Sequence, residues 1–554
     1  MKDKNFNRRD FLKLGGLVAL TLPAFRMMGK LGEDTLVASE EEYGGFLIRQ
    51  QAKNPPPYVV DDSVYQRFDA KYTILNRMGW DPKLREKLKG AQRAETPNEP
   101  GYRREDQAIN SAAGMLATYG GANAPMGGRH NGLLQVTPIG GGMYDFDAPW
   151  DHSHLSAQDL SNMVKKAAKF MGASLVGIAE LDERWIYSTY AEMMSEGTWP
   201  IVFTEVEEVK LPAGTVSSAD ARVQVLAELQ KMDADGVKTL IMETMKAEET
   251  AGAPTSLPLA ALPATMLMNM LPTALKQLPT STIQTLADKL GLQITISGVS
   301  PGDTAKPRYL EDGTLVIPKT MNRVIVLAFE MDTDAVDAAP TLVGMAAMNN
   351  GYTRMTLTSS SVAEFIRNLG YNAIPCGNHT GLSVPMAIDA GLGELSRMGI
   401  LITPKYGPRI RLAKIITDLP VATDQPISFG VKEFCDVCKK CAEMCPTQAI
   451  SFEGQTFEPK TISNNPGVLK WPLDNEKCFI GWQMTGGDCG NCIRVCPFNK
   501  PESWLHEATR ILIGAKVGAL DSVLTKLDTA SGYGGEKPEP EAFWKKDSFI
   551  HIKG

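Results

Sequence analysis

Outside one short segment, the chain has almost no cysteine. Of nine cysteines, only Cys376 falls outside the stretch 435–496. A disulfide framework therefore has nothing to join across the rest of the 554 residues, and stability must come from buried cores. With 43% hydrophobic residues, two or three domains can bury one each. No clean run of about 20 apolar residues occurs, which excludes a polytopic membrane protein. Lys/Arg-rich stretches are missing and the net charge is −7, so nucleic acid is not an expected partner. No G-x-G-x-x-G opens a helix after a strand, and no GxxxxGK[ST] appears. Nicotinamide, flavin and P-loop nucleotide sites thus have no support.

What is present is concentrated. The first four clustered cysteines read Cys435-x2-Cys438-x2-Cys441-x3-Cys445-Pro446, and the second four read Cys478-x10-Cys489-x2-Cys492-x3-Cys496-Pro497. A cubane cluster needs four converging thiolates, and two-residue gaps let successive turns wrap one corner of it. In two-cluster ferredoxins the cysteine before proline ligates the other cluster. By that rule Cys435, Cys438, Cys441 and Cys496 hold one [4Fe–4S] cluster, and Cys478, Cys489, Cys492 and Cys445 hold the second. The x10 gap is expected to deliver one ligand of the second cluster on a loop. Zinc competes as a reading of paired CxxC units, but zinc sites seldom show two x3-Cys-Pro endings. Cys376 reads as inert packing.

The N-terminus reads Asn7-Arg8-Arg9-Asp10-Phe11-Leu12-Lys13, followed by an apolar run from Leu14 to Phe25. This is the pattern of a twin-arginine export signal, with a run too short to span a bilayer. Cleavage is expected near Val37-Ala38-Ser39. That route carries folded cargo, which suits a protein loaded with oxygen-sensitive clusters before export. Thr250 to Leu275 is uncharged and apolar but interrupted by Pro254, Pro258, Pro263 and Pro272. It reads as a buried or partner-facing helical insertion, with contact to a membrane surface or anchor subunit as the sharper alternative.

The rest of the chain divides as 1–39 signal, 40–155 N-terminal unit, 156–428 core, 429–500 cluster module and 501–554 C-terminal tail. Helical patches are expected near 81–92 and 105–119, and a helix over 156–171. Strands are expected at Ser174–Ala179, Arg323–Phe329, Tyr371–Pro375 and Ile400–Thr403, with a helix at 352–369 ending at Gly370. The segment 206–306 interrupts this rhythm as a helix-rich insertion. Strand, helix, strand in that order argues for a layered α/β (α+β) core.

Signal, core and two-cluster module together resemble the respiratory reductive dehalogenases. The motifs Leu175-Val176-Gly177-Ile178-Ala179, Gly370-Tyr371-Asn372-Ala373-Ile374-Pro375, Ala390-Gly391-Leu392-Gly393-Glu394, Ile402-Thr403-Pro404-Lys405-Tyr406-Gly407-Pro408 and Phe429-Gly430-Val431-Lys432-Glu433-Phe434-Cys435 carry the likeness. It spans about 156–205 and 307–535, plus the signal. The resemblance implies a nitroreductase-like core that binds a corrinoid, with a C-terminal two-cluster ferredoxin-like module. It implies no histidine below the cobalt, and D-x-H-x-x-G is indeed missing. Asp151-His152-Ser153-His154 lacks that spacing, and its histidines read as surface or turn residues.

The implied reaction converts R–X, two electrons and a proton into R–H and halide. Electrons pass through the two clusters to Co(I). By position, the family's tyrosine, asparagine and arginine fall on Tyr352, Asn378 and Arg411, with Arg409 as a competitor for the last. A tyrosine hydroxyl can protonate the dehalogenated carbon in an apolar pocket, and a fixed guanidinium can stabilise the tyrosinate left behind. Met348 and Trp482 are implied substrate-pocket residues. Better-known tetrachloroethene enzymes have threonine where Met348 stands, a departure that puts the substrate in doubt. Gly377, Gly391, Gly393 and Arg397 are candidate corrinoid contacts. Implied partners are a small organohalide, a small hydrophobic membrane-anchor protein and electron-donating respiratory components, at the outer face of the cytoplasmic membrane; a homodimer is compatible. Two alternatives share some of these features. One is an epoxyqueuosine-reductase-like corrinoid enzyme, and the other is an exported iron–sulfur electron carrier without corrinoid.

Overall fold

A central antiparallel sheet organises the computed structural model. It describes residues 36–37, 48–53, 56–94, 99–119, 152–191, 197–206, 215–216, 218–250, 263–277, 280–296, 305–310, 312–378, 380–499, 513, 525 and 540–545. The twin-arginine motif and its apolar run lie outside these. The short strand Leu36–Val37, inside the expected signal segment, pairs with Ile48–Gln50.

The central strands are β1 (Leu175–Glu180), β2 (Arg323–Glu330), β3 (Ala373–Cys376) and β4 (Ile410–Thr417), in the order β3-β4-β2-β1. Every pairing is antiparallel, with Arg323 opposite both Thr417 and Glu180. β2 is apolar at six successive positions because both of its faces are covered, as its buried run Val324–Phe329 shows. One face packs on α1 (Ala157–Phe170) and α2 (Leu342–Asn368), through Leu160, Val164, Met355, Val362 and Ile366. The other packs on α3 (Ser383–Asp389), through Met386, Ala387 and Ile388. α1 starts where Ser156 and Asp159 form a reciprocal capping box.

Two expectations need correction. α2 begins at Leu342, ten residues before the expected start at 352. Gly344 and Gly351 lower helix propensity there, yet both are needed for close packing: a Cβ at Gly344 would sit 2.6 Å from Cα of Ala339. β4, the central strand, was not anticipated at all. Its apolar run Leu412-Ala413-Lys414-Ile415-Ile416 is broken by a lysine and preceded by Arg411, so it does not read as buried.

The insertion folds around its own core. Helices Ser218–Leu229, Ala234–Thr250, Ala264–Gln277 and Thr280–Lys289 bury Val225, Ile241, Leu267, Leu271, Leu275 and Leu286. Pro272 sits inside the third of these helices. Leu267, Leu271 and Leu275 thus face protein, which favours the buried reading for this part of the apolar stretch; 251–262 lies outside the described residues. No helix among the described residues is long and apolar enough to cross a membrane. The insertion interrupts a smaller sheet, in which Thr198–Thr204 runs parallel to Leu315–Pro318.

The cluster module follows β4. Its helices are α4 (Val431–Cys438), α5 (Lys440–Glu443), α6 (Asn475–Thr485) and α7 (Asn491–Arg494). The C-terminal helix Pro540–Lys545 returns to the N-terminal unit, where Trp544 donates to Asp106 at 2.8 Å.

Candidate functional site

Each cysteine quartet converges as the spacing requires. Cys435, Cys438, Cys441 and Cys496 line one cavity, together with Arg397 and Phe434. A left-handed turn at Lys439 (φ 53°) separates α4 from α5 and lets the chain bend around this cavity. Cys445, Cys478, Cys489 and Cys492 lie within electrostatic reach of one another. Gly490 (φ 64°) turns the chain between Cys489 and Cys492, where a Cβ would strike the Met348 methyl. Cys478 sits on helix α6, which continues for about two further turns to Thr485, and Cys489 then follows on the non-helical stretch 486–490, the loop that the x10 gap led one to expect.

Burial pushes the Cys441 and Cys478 thiols up to about 12, with neighbouring thiols adding to the effect. Bare thiols would stay protonated here, so bound iron must supply the charge that keeps them thiolate. Among the described residues, no three His, Cys, Asp or Glu side chains converge on a single metal ion. Four thiols around a cavity fit a cubane cluster better than a zinc ion.

The second centre stands where α2 crosses β4. Strand alternation sends Arg411 to the α2 side of the sheet, and its guanidinium carbon lies 4.5 Å from the Tyr352 ring centroid. Gly351 makes this possible, because a Cβ there would be 2.6 Å from Cγ of Arg411. Arg411 Nη2 donates to Asp488 Oδ2 at 3.0 Å, and Asp488 immediately precedes the cluster ligand Cys489. One guanidinium therefore touches both the tyrosine and the loop of the second cluster. Burial raises the Tyr352 hydroxyl above its ordinary value; Arg411 and a hydrogen bond from Asn378 pull it down, while Asp488 pushes it up. Arg409 turns elsewhere, donating to Glu330 at 3.1 Å and to the Met331 carbonyl at 2.6 Å.

Asn378 lies in the turn after β3. That turn is held by Lys414, which is fully buried on the opposite face of β4 from Arg411. Lys414 Nζ donates to the carbonyls of Gly377 and Gly381 and to Ser383 Oγ. Burial pushes its amine down to about 8.

Asp488 and Lys414 were both missed by the sequence reading. The signal for Asp488 was its place beside a ligand in Gly486-Gly487-Asp488-Cys489-Gly490. For Lys414 it was a lone charge inside an apolar run.

The other predicted residues sit differently. Met348 is buried against Ile493 and the Gly490 turn, so it packs on the module. Trp482 packs near Phe479 at 5.5 Å, and its influence on the Cys478 thiol places it beside a ligand of the second quartet. Gly391 and Gly393 approach protein backbone: a Cβ would meet the Gln425 carbonyl at 2.4 Å and the Ile402 carbonyl at 2.1 Å. The Gly377 carbonyl accepts from Lys414. Arg397 lines the first cluster cavity. The contacts that the structure shows for these four residues are with protein. A cofactor fits the Tyr352 centre on other grounds: Arg411 Nε is buried without a hydrogen-bond partner, and Asn378 is exposed beside fully buried Cys376. Cys376 is packed in the core, its sulfur 3.4 Å from the Ile374 carbonyl. His152 meets the Tyr371 hydroxyl at 2.8 Å, far in sequence from the clusters.

Comparison with known proteins follows the same division. Residues 434–499 match the family described as a 4Fe-4S double cluster binding domain. The chain is 32% identical over 476 residues to the tetrachloroethene reductive dehalogenase of Dehalobacter restrictus, covering 80% of this chain and 71% of that one. It is 34% identical over 118 residues to the epoxyqueuosine reductase of Bacillus subtilis, covering 21% of this chain and 29% of that one. A solved catabolic reductive dehalogenase matches 88% of this chain at 18% identity with a TM-score of 0.49; the match spans 49% of that longer chain.

Proposed function

The chain belongs to the reductive dehalogenases, and from that membership we propose that it replaces the halogen of a small organohalide by hydrogen, with Tyr352 as the proton donor. It is an oxidoreductase acting on carbon–halogen bonds, with two [4Fe–4S] clusters and a corrinoid as cofactors. The observation that carries the assignment of roles is the bridge Tyr352–Arg411–Asp488–Cys489. It links the proposed proton donor, through Arg411, to the residue that precedes a ligand of the second cluster.

When bound, the corrinoid supplies the reduced cobalt at which the carbon–halogen bond is broken. The chain's own residues do the rest. The second quartet, beside Asp488, is the cluster next to the reacting centre, and the first quartet receives electrons from outside. Tyr352 gives its hydroxyl proton to the carbon that loses halide. Arg411, always charged, stabilises the tyrosinate, and Asn378 orients the tyrosine by its hydrogen bond. Two electrons and the Tyr352 proton convert R–X into R–H and halide, and the one proton taken up from solvent restores Tyr352.

Tyr352→Phe is the direct test. Turnover should fall about 100-fold or more, the usual scale for a lost general acid. Iron and cobalt content should stay at the wild-type level. Full activity in that variant removes Tyr352 from the donor role. Chlorinated ethenes head the substrate panel, because the matched Dehalobacter enzyme is named for one.

The residues Arg8-Arg9-Asp10-Phe11-Leu12-Lys13 support export by the twin-arginine route to the outer face of the cytoplasmic membrane. A small hydrophobic anchor protein is the partner we propose there. Changing Arg8 and Arg9 together to lysine should retain the protein in the cytoplasm, cluster-loaded; unchanged export contradicts the signal.

A further inference from the structure

Arg397 is an unusual residue to find 1% exposed. It sits between the paired strands Glu394–Leu395 and Leu401–Ile402 and lines the cavity formed by Cys435, Cys438, Cys441 and Cys496. Three of its hydrogen bonds go to neutral main-chain carbonyls: Nε to Cys435 at 2.9 Å, and Nη1 to Ser451 at 2.8 Å and Glu453 at 2.7 Å. The Trp471 ring lies 5.4 Å from its guanidinium carbon. Its ion-pair partner, Asp436, stands off at 3.8 Å, is 51% exposed, and also accepts from the Trp471 indole at 3.1 Å. A buried cation is thus fixed at the cavity wall, and its counter-charge stands at the edge of ion-pair range and is half exposed to water.

We propose that Arg397 sets the reduction potential of the first cluster, holding it higher than the thiolates and fold alone would. A [4Fe–4S] cluster gains one negative charge on reduction. A fixed positive charge beside it, out of water, stabilises the reduced form more than the oxidised form. Lys439 lines the same cavity but is partly exposed, so solvent screens it. At the second quartet the buried cation is Arg494, near Cys489, while Asp488, next to Cys489 in sequence, is paired with Arg411. The first cluster therefore stays reducible by a milder donor. This inference rests on the cluster assignment alone and not on the substrate.

The test is an anaerobic redox titration of the holoenzyme followed by electron paramagnetic resonance. Cys438→Ser assigns the signal of the first cluster by perturbing it selectively. Arg397→Met should move the midpoint of the first cluster to more negative potential and leave the second unmoved. Arg397→Lys, which keeps the charge, should bring the midpoint most of the way back to the wild-type value. Asp436→Asn provides an independent arm that leaves the carbonyl contacts intact, and it should move the same midpoint positive. If Arg397→Met retains full iron and both midpoints stay at wild-type values, Arg397 is only a strap and the proposal is overturned. If that variant loses iron, Asp436→Asn decides: a positive shift upholds the proposal and no shift overturns it.

Discussion

In the proposed reaction, two ordinary side chains, Tyr352 and Arg411, act as a pair. A buried tyrosine alone is a poor acid, because burial disfavours its anion. The guanidinium 4.5 Å from its ring works against that burial. Removing the charge should therefore raise the Tyr352 pKa further. A general acid loses activity as pH rises through its pKa, so in Arg411→Met the alkaline limb of the pH–rate profile should move to higher pH. The rate below that limb should fall about 10-fold or more, since the tyrosinate is no longer stabilised. A limb that stays in place would show that Arg411 does not act on Tyr352. Tyr352 and Arg411 could be named from the sequence because the resemblance located them. Asp488 could not, because its role depends on a contact across 77 residues.

At the scale of elements, α2 and β4 are fitted to each other by Gly351. A methyl group there would lie 2.6 Å from the Arg411 side chain, inside van der Waals contact. Gly351→Ala should cost about 1–3 kcal/mol as overpacking. It should also displace Arg411 and lower turnover, while both clusters stay in place. Thermal melting and iron content measured on the same sample separate the two effects, and wild-type turnover would mean that Arg411 has room to move. This crossing also explains why the start of α2 was hard to read. Gly344 and Gly351 weaken the helical pattern so that two chains can approach closely. β4 was hidden for a related reason, since its two covered faces carry the charges of Arg411 and Lys414.

At the scale of the molecule, the insertion has its own buried cluster, separate from the cores around the central sheet. Leu271→Asp places an unpaired charge at a fully buried site and should cost more than about 4 kcal/mol locally. The insertion should then unfold or become protease-sensitive while iron content remains that of the wild type. Loss of both clusters in that variant would show that the insertion and the cluster module fold as one cooperative unit. One place where the module meets the rest of the chain is α2, where Met345 and Met348 fill the space left by Gly487 and Gly490; another is the N-terminal unit, where Arg77 pairs with Glu476 at 2.8 Å.

The sequence by itself determined the cluster chemistry, because cluster ligation depends on local spacing and each quartet draws three of its four ligands from one short stretch. It also determined the strands of the central sheet that are uniformly apolar, and the insertion, whose core is built from neighbouring helices. Only the tertiary structure decided that Arg411, and not Arg409, meets Tyr352. It also placed Arg397 at the wall of the first cluster cavity. Those outcomes depend on which face of a strand or turn points inward and on what lies across from it. Such relations join residues tens to hundreds of positions apart, and no local pattern records them.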